Sequence, residues 1–188
     1  MTALPEAIAR NASDGLNEDF RQGLGWCFTE RFLYRHIAEA LKLWTWPEFS
    51  GYSKDSLRIA AEYTLPFIPT GKRGRPLNID VAVLRSKHKR RAAVRDQNSI
   101  RDEAWHYAAE VKWIAGNVPP SLKSVNDDLH RLGRLRGIKN PEHLHFIMAG
   151  ETSQVDAWLN SGAKRLTVSL AASCLDAKSN FGVCVFAL

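Results

Sequence analysis

Asp80, Glu110 and Lys112 are charged residues set inside two otherwise apolar runs, Leu77–Leu84 and Ala104–Ile114. Ionised groups are costly to bury unless they are paired or bind a metal, so their placement needs a chemical reason. Both runs predict strands, because apolar, β-branched and aromatic residues dominate them over strand-like lengths. Side chains alternate along a strand, so Glu110 and Lys112 share one face while Val111 and Trp113 point to the other. If the two strands are neighbours, two carboxylates and an ammonium converge on one face. That set suits a divalent cation and an attacking water. Carboxylates are hard oxygen ligands, the cation acidifies its bound water, and the ammonium offsets charge developing on the reacting group. The competing use of the same residues is a structural salt bridge between Lys112 and one or both acids.

The remaining elements must position these groups. Phe28, Phe32, Leu33, Ile37, Ala40, Leu41 and Trp44 recur at helical spacing, and Pro47 with Ser50-Gly51 ends that helix. Leu57–Leu65 alternates as a strand, and a turn-rich link with Pro66, Pro69, Gly71, Gly74 and Pro76 leads to the Asp80 strand. A long polar stretch, Arg85–Glu103, separates it from the Glu110 strand. Pro119-Pro120-Ser121 opens a second helix striped by Val125, Leu129, Leu132 and Leu135. Leu144–Met148 reads as a short buried strand, Gly150-Glu151-Thr152 opens a third helix, and Arg165–Ala171 and Phe181–Leu188 are the final strands. The first 20 residues carry little pattern and read as a loosely ordered N-terminal arm on a single domain spanning residues 1–188. Helices inserted between strands predict an α/β layered domain.

The order helix–strand–strand–strand–helix–strand, with Asp on the second strand and Glu-x-Lys on the third, resembles the PD-(D/E)XK nuclease superfamily over roughly Gly23–Ala149. Two features depart from the motif: Ile79 stands where proline is usual, and the gap between Asp80 and Glu110 is long. The resemblance implies a restriction-endonuclease-like fold, a central mixed β-sheet flanked by helices. It implies hydrolysis of phosphodiester bonds in nucleic acid, with DNA favoured over RNA by the resemblance alone, and Mg²⁺ (or Mn²⁺) as cofactor. By the same resemblance Asp80, Glu110 and the carbonyl of Val111 are metal ligands, and Lys112 acts on the attacking water. Many members add an acid from the first helix. Glu30, beside Leu33 and Ile37, is the preferred candidate; Glu39 lies roughly 180° further around the helix, and Glu62 near the end of the first strand is a third. Such nucleases serve restriction, repair or defence, and they imply a homodimer or a partner protein of such a system. The same fold could instead carry a non-catalytic module that binds nucleic acid or protein.

Charge agrees with a polyanionic partner: 26 Lys and Arg against 20 Asp and Glu give a formal net charge of +6. The densest basic run contains Arg85, Lys87, Lys89, Arg90 and Arg91; Lys72, Arg73 and Arg75 form a basic turn; and the second helix adds Arg131 and Arg134. Neutralising phosphates releases counterions and drives sequence-independent binding, whereas the bland reading is a solvated charged face. Trp105 and Trp113, expected opposite Glu110, read as core. Six histidines form no HExxH pattern, and Cys27, Cys174 and Cys184 form no CxxC, so zinc and a disulfide framework are not expected. With no apparent leader and no apolar run of roughly 20 residues, the sequence reads as cytoplasmic.

Overall fold

The computed structural model describes residues 3–25, 28–48, 57–65, 77–85, 104–114 and 119–188, with the side chains at 43–48, 57–58, 60–65, 77, 85 and 104 left aside. The helices are α1 (Leu4–Arg21), α2 (Glu30–Glu48), α3 (Leu122–Lys139) and α4 (Thr152–Ser161). The strands are β1 (Leu57–Leu65), β2 (Leu77–Arg85), β3 (Ala104–Ile114), β4 (His143–Glu151), β5 (Ser169–Cys174) and β6 (Phe181–Ala187). They form one mixed sheet in the order β1-β2-β3-β4-β6-β5, in which β3 and β4 are parallel and every other neighbouring pair is antiparallel. The expected α/β architecture, a mixed sheet flanked by helices, is present.

Alternation along the strands divides the core in two. Val81, Val83, Tyr107, Ala109, Val111, Ile147 and Ala149 pack with α1 and α2 on one face. Ala82, Leu84, Trp105, Ala108, Phe146 and Met148 pack with α3 and α4 on the other. Trp105 therefore lies on the α3 face, where simple alternation from Glu110 had put it on the opposite one. The cause is a register shift: Val83 pairs with Tyr107 but Leu84 pairs with Trp105, so His106 is the extra residue of a bulge. A parallel β3–β4 pair needs a crossover, and α3 supplies it. Ser121 caps that helix by accepting from the Ser124 amide at 3.1 Å, and Asn140 ends it in the left-handed region at φ 44°.

Residues 4–21 are not the loose arm that their composition suggested. Leu4, Ile8, Ala12 and Leu16, spaced four apart, form a buried stripe with Ala9 and Ser13. Burial of a Leu or Ile side chain stabilises by about 1.5–3 kcal/mol, enough to offset the modest helix propensities of Asn11, Ser13, Asp14 and Gly15. Polar contacts fix the docking. The Asn17 side-chain amide donates to the Phe181 carbonyl at 2.9 Å and accepts from the Phe181 amide at 3.0 Å. Asp19 meets His36 of α2 at 2.8 Å, with both side chains buried.

Candidate active site

The site begins where β2 parts from β3. Their last paired rung on this side is Val81 with Ala109, whereas β2 stays paired to β1 as far as Leu77. Beyond the fork, β3 runs on from Glu110 to Ile114, and among the described residues β4 is its one strand partner there. Its amide groups facing the gap need other acceptors. Asp80 Oδ2 accepts from the Val111 amide at 2.7 Å, and Glu30 Oε1 accepts from the Trp113 amide at 3.4 Å. Two carboxylates thus take the place of a ladder strand. The N–H and C=O of one strand residue point the same way, so the Val111 carbonyl also faces this gap.

β2 changes face across Asp80. Val81 and Val83 join the α1–α2 core, Ile79 joins the α3–α4 core, and the β1 pairing skips Glu62 and Asp80. Asp80 turns into the fork instead of standing on a sheet face beside Glu110. Glu110 and Lys112 do share the face covered by α3, where two further residues meet them. Arg131 donates from Nε to Glu110 Oε1 at 3.0 Å and from an Nη to Oε2 at 2.7 Å, a bidentate pair. The same guanidinium reaches Asp128 at 2.5 Å. Lys112 Nζ lies 2.9 Å from Asp128 and 3.8 Å from Glu30. Its ammonium stands between carboxylates from helices on opposite faces of the sheet, which the open fork permits.

Burial and charge set the protonation chemistry. Burial pushes the Glu110 carboxyl up to about 8 while the Arg131 guanidinium pulls it down. Burial also raises Glu30 and Asp128, against the pull of Lys112, and Asp80 adds repulsion to each. Burial works to lower Lys112, but its hydrogen bond to Asp128 wins and the amine is held firmly charged. Four carboxyl groups and two cations interact here; with the Glu110 proton retained, three carboxylates face two cations, a formal excess of one negative charge.

An open cleft of about 740 Å³ adjoins the fork, lined by Phe28, Thr29, Glu30, Arg31, Tyr34, Asp80 and Trp113. Among the described residues no three His, Cys, Asp or Glu side chains stand close enough to cage a metal ion. Mg²⁺, however, is commonly held by one or two carboxylates, several waters and substrate phosphates. Asp80 and Glu30 on one open cleft, within a net-negative cluster, suit that mode. Glu110 does not in this arrangement: its side chain is 0% exposed and both oxygens are occupied by Arg131.

Asp80, Glu110, Lys112 and Glu30 are thus brought together, whereas Glu39 lies on the exposed side of α2, paired with Arg35 at 3.4 Å. The Glu62 and Arg85 side chains, and Lys72, Arg73, Arg75, Lys87, Lys89, Arg90 and Arg91 entirely, lie outside the described residues. Arg134 is exposed on α3. Arg131, expected at a nucleic-acid surface, is turned to Glu110 and Asp128. Asp128 went unread in the sequence, although it stands three residues after Val125 and four before Leu132, on the apolar stripe itself. No helix among the described residues is long and apolar enough to cross a membrane. No protein-family model, curated protein or solved structure matches the chain.

Proposed function

We propose that this cluster is the site of a metal-dependent nuclease of the PD-(D/E)XK type, on a restriction-endonuclease-like version of the α/β fold. The observation that carries the reading is the convergence of Asp80, Glu110, Lys112 and Glu30 at the β2–β3 fork, beside an open cleft. The element order from α2 to β4 also agrees with the resemblance in the sequence.

Asp80 and Glu30, with the Val111 carbonyl, would hold Mg²⁺ or Mn²⁺. When bound, the ion supplies an acidified water and polarises the phosphate. Lys112 places a fixed positive charge where phosphoryl oxygens gain charge, and it orients the water. Asp128 positions Lys112 and keeps it protonated. Arg134 and the arginines and lysines on either side of β2 contact the nucleic-acid backbone. DNA is the proposed substrate.

Incubation with supercoiled plasmid, linear duplex and RNA tests this reading. Cleavage is expected with Mg²⁺ or Mn²⁺, lost on chelation, and abolished in Asp80→Ala and Lys112→Ala proteins that keep their circular dichroism. Undiminished cleavage in either variant, or none of any substrate, refutes it.

One observation favours a second reading, a non-catalytic module that binds nucleic acid or protein: the bidentate Arg131–Glu110 pair completes Glu110 without any metal. That module binds without cutting, and chelators leave its binding unchanged.

A further inference from the structure

Resting on the nuclease reading above, we propose that a second cavity, between α1, α4 and the start of β6, holds an unpaired nucleobase, guanine best, so that the substrate strand is single-stranded beside the cleft. The cavity measures about 630 Å³ and is lined by Phe20, Phe181, Leu175, Glu151, Asp156 and Asn180 among others. An aromatic wall with a few polar groups at its rim is the usual make-up of a small-ligand site. Ile114 pairs with Gly150 and Glu151 with Phe181, so the cavity opens at the end of the sheet toward which β3 runs past the fork. Aromatic rings join it to the cleft. Phe181 stands 5.7 Å from Trp113 and 4.9 Å from Phe28, which line the cleft, and 5.3 Å from Phe20. Phe20 is 41% exposed, and its ring lies against Gly25, where a Cβ would collide with it. Its position is therefore fixed while much of its surface stays open. Aromatic faces of this kind stack successive bases of a single strand.

The lining selects this ligand. Glu151 and Asp156 are exposed, and among the described residues neither side chain forms a hydrogen bond or ion pair. Carboxylates only accept hydrogen bonds. A phosphodiester carries acceptors alone, so it is kept out of the cavity, whereas a base edge with donors is drawn in. Guanine sets a ring N–H and an amino N–H side by side, the paired donors through which a guanidinium matches a carboxylate. The other bases lack that pair. A base within a duplex has this edge paired and its faces stacked, and extracting it carries an unstacking cost. The favoured substrate is therefore a strand already unpaired: an end, a flap or a loop.

Fluorescence anisotropy with labelled DNA octamers, in chelator and at fixed salt, tests the cavity apart from any cleavage. An octamer of thymines with one central guanine is expected to bind about ten-fold tighter than the all-thymine octamer, the discrimination of one bidentate base contact. A blunt duplex of the same length is expected to bind more weakly than either. Phe20→Ala is expected to weaken both octamers about ten-fold. The double variant Glu151→Gln, Asp156→Asn is expected to lose the guanine preference and keep all-thymine binding. Equal binding of the two octamers, or a guanine preference that survives the double variant, overturns the proposal. So does displacement of the octamer by arginine amide as effective as that by guanosine, since the cavity then takes an organic cation. Should Phe20→Ala fail to fold, the double variant at two exposed positions decides alone. Cleavage with Mg²⁺ is read separately. A guanine preference without cutting of any nucleic acid leaves the cavity standing and sinks the nuclease reading; cutting without that preference sinks the cavity alone.

Discussion

Asp80 Oδ2 accepts the Val111 amide at 2.7 Å, one residue past the last rung that joins β2 to β3. The carboxylate therefore has two duties. It closes a backbone vacancy at the fork, and it presents an anionic group to the adjoining cleft.

These duties separate by substitution. Asp80→Ala leaves the Val111 amide without its acceptor and is expected to lower stability by about 1–3 kcal/mol. Asp80→Asn keeps a carbonyl acceptor and is expected to lose less. Both are expected to lose cleavage. Urea unfolding alongside a cleavage assay checks this, and an active Asp80→Asn protein would contradict it.

Lys112 and Asp128 form the least exposed cation–carboxylate contact made by the lysine, at 2.9 Å with side-chain exposures of 20% and 3%. A double-mutant cycle with Lys112→Met and Asp128→Asn is expected to give a coupling of about 0.5–3 kcal/mol. On the proposed function, Lys112→Met is expected to abolish cleavage and Asp128→Asn to lower it by letting the ammonium move. A coupling indistinguishable from zero would remove Asp128 as the positioning partner.

Glu110 and His145 should move stability with pH in opposite senses. Burial raises Glu110 from 4.5 to about 8. Within that window the unfolded chain has released a proton that the folded protein retains, so stability falls as pH rises. Burial lowers His145 from 6.5 to about 4. Within that window the unfolded chain gains a proton that the folded protein refuses, so stability falls as pH falls. Urea midpoints across pH 4 to 8 are expected to peak at higher pH in Glu110→Gln and at lower pH in His145→Gln. Profiles that do not move would contradict both assignments.

Asn17 mimics a strand partner for Phe181, donating and accepting at 2.9 and 3.0 Å. Asn17→Ala is expected to cost about 1–3 kcal/mol and to expose the α1 amides to hydrogen exchange before the sheet. A neutral substitution would mean that the apolar stripe alone docks the helix.

The sequence made the strands legible where local pattern decides them. β1 and β3 have the bounds their apolar runs predict, and the Val125, Leu129, Leu132 and Leu135 stripe is buried as its spacing requires. α1 was not legible, because Asn, Ser, Asp and Gly favour turns and only burial against α2 and β6 outweighs them. The Glu110–Lys112 face followed from alternation. The inward turn of Asp80 did not, since it depends on two strands separating, a long-range event. Arg131 and Asp128 read as a basic and an acidic helix residue; that they enclose Glu110 and Lys112 follows from how α3 crosses β3.

A crystal structure with Mn²⁺ and an uncleavable duplex tests the central claim most directly. The proposed function predicts an anomalous difference peak in coordination distance of Asp80 and Glu30. Duplex bound at saturating Mn²⁺ with no such peak would contradict it.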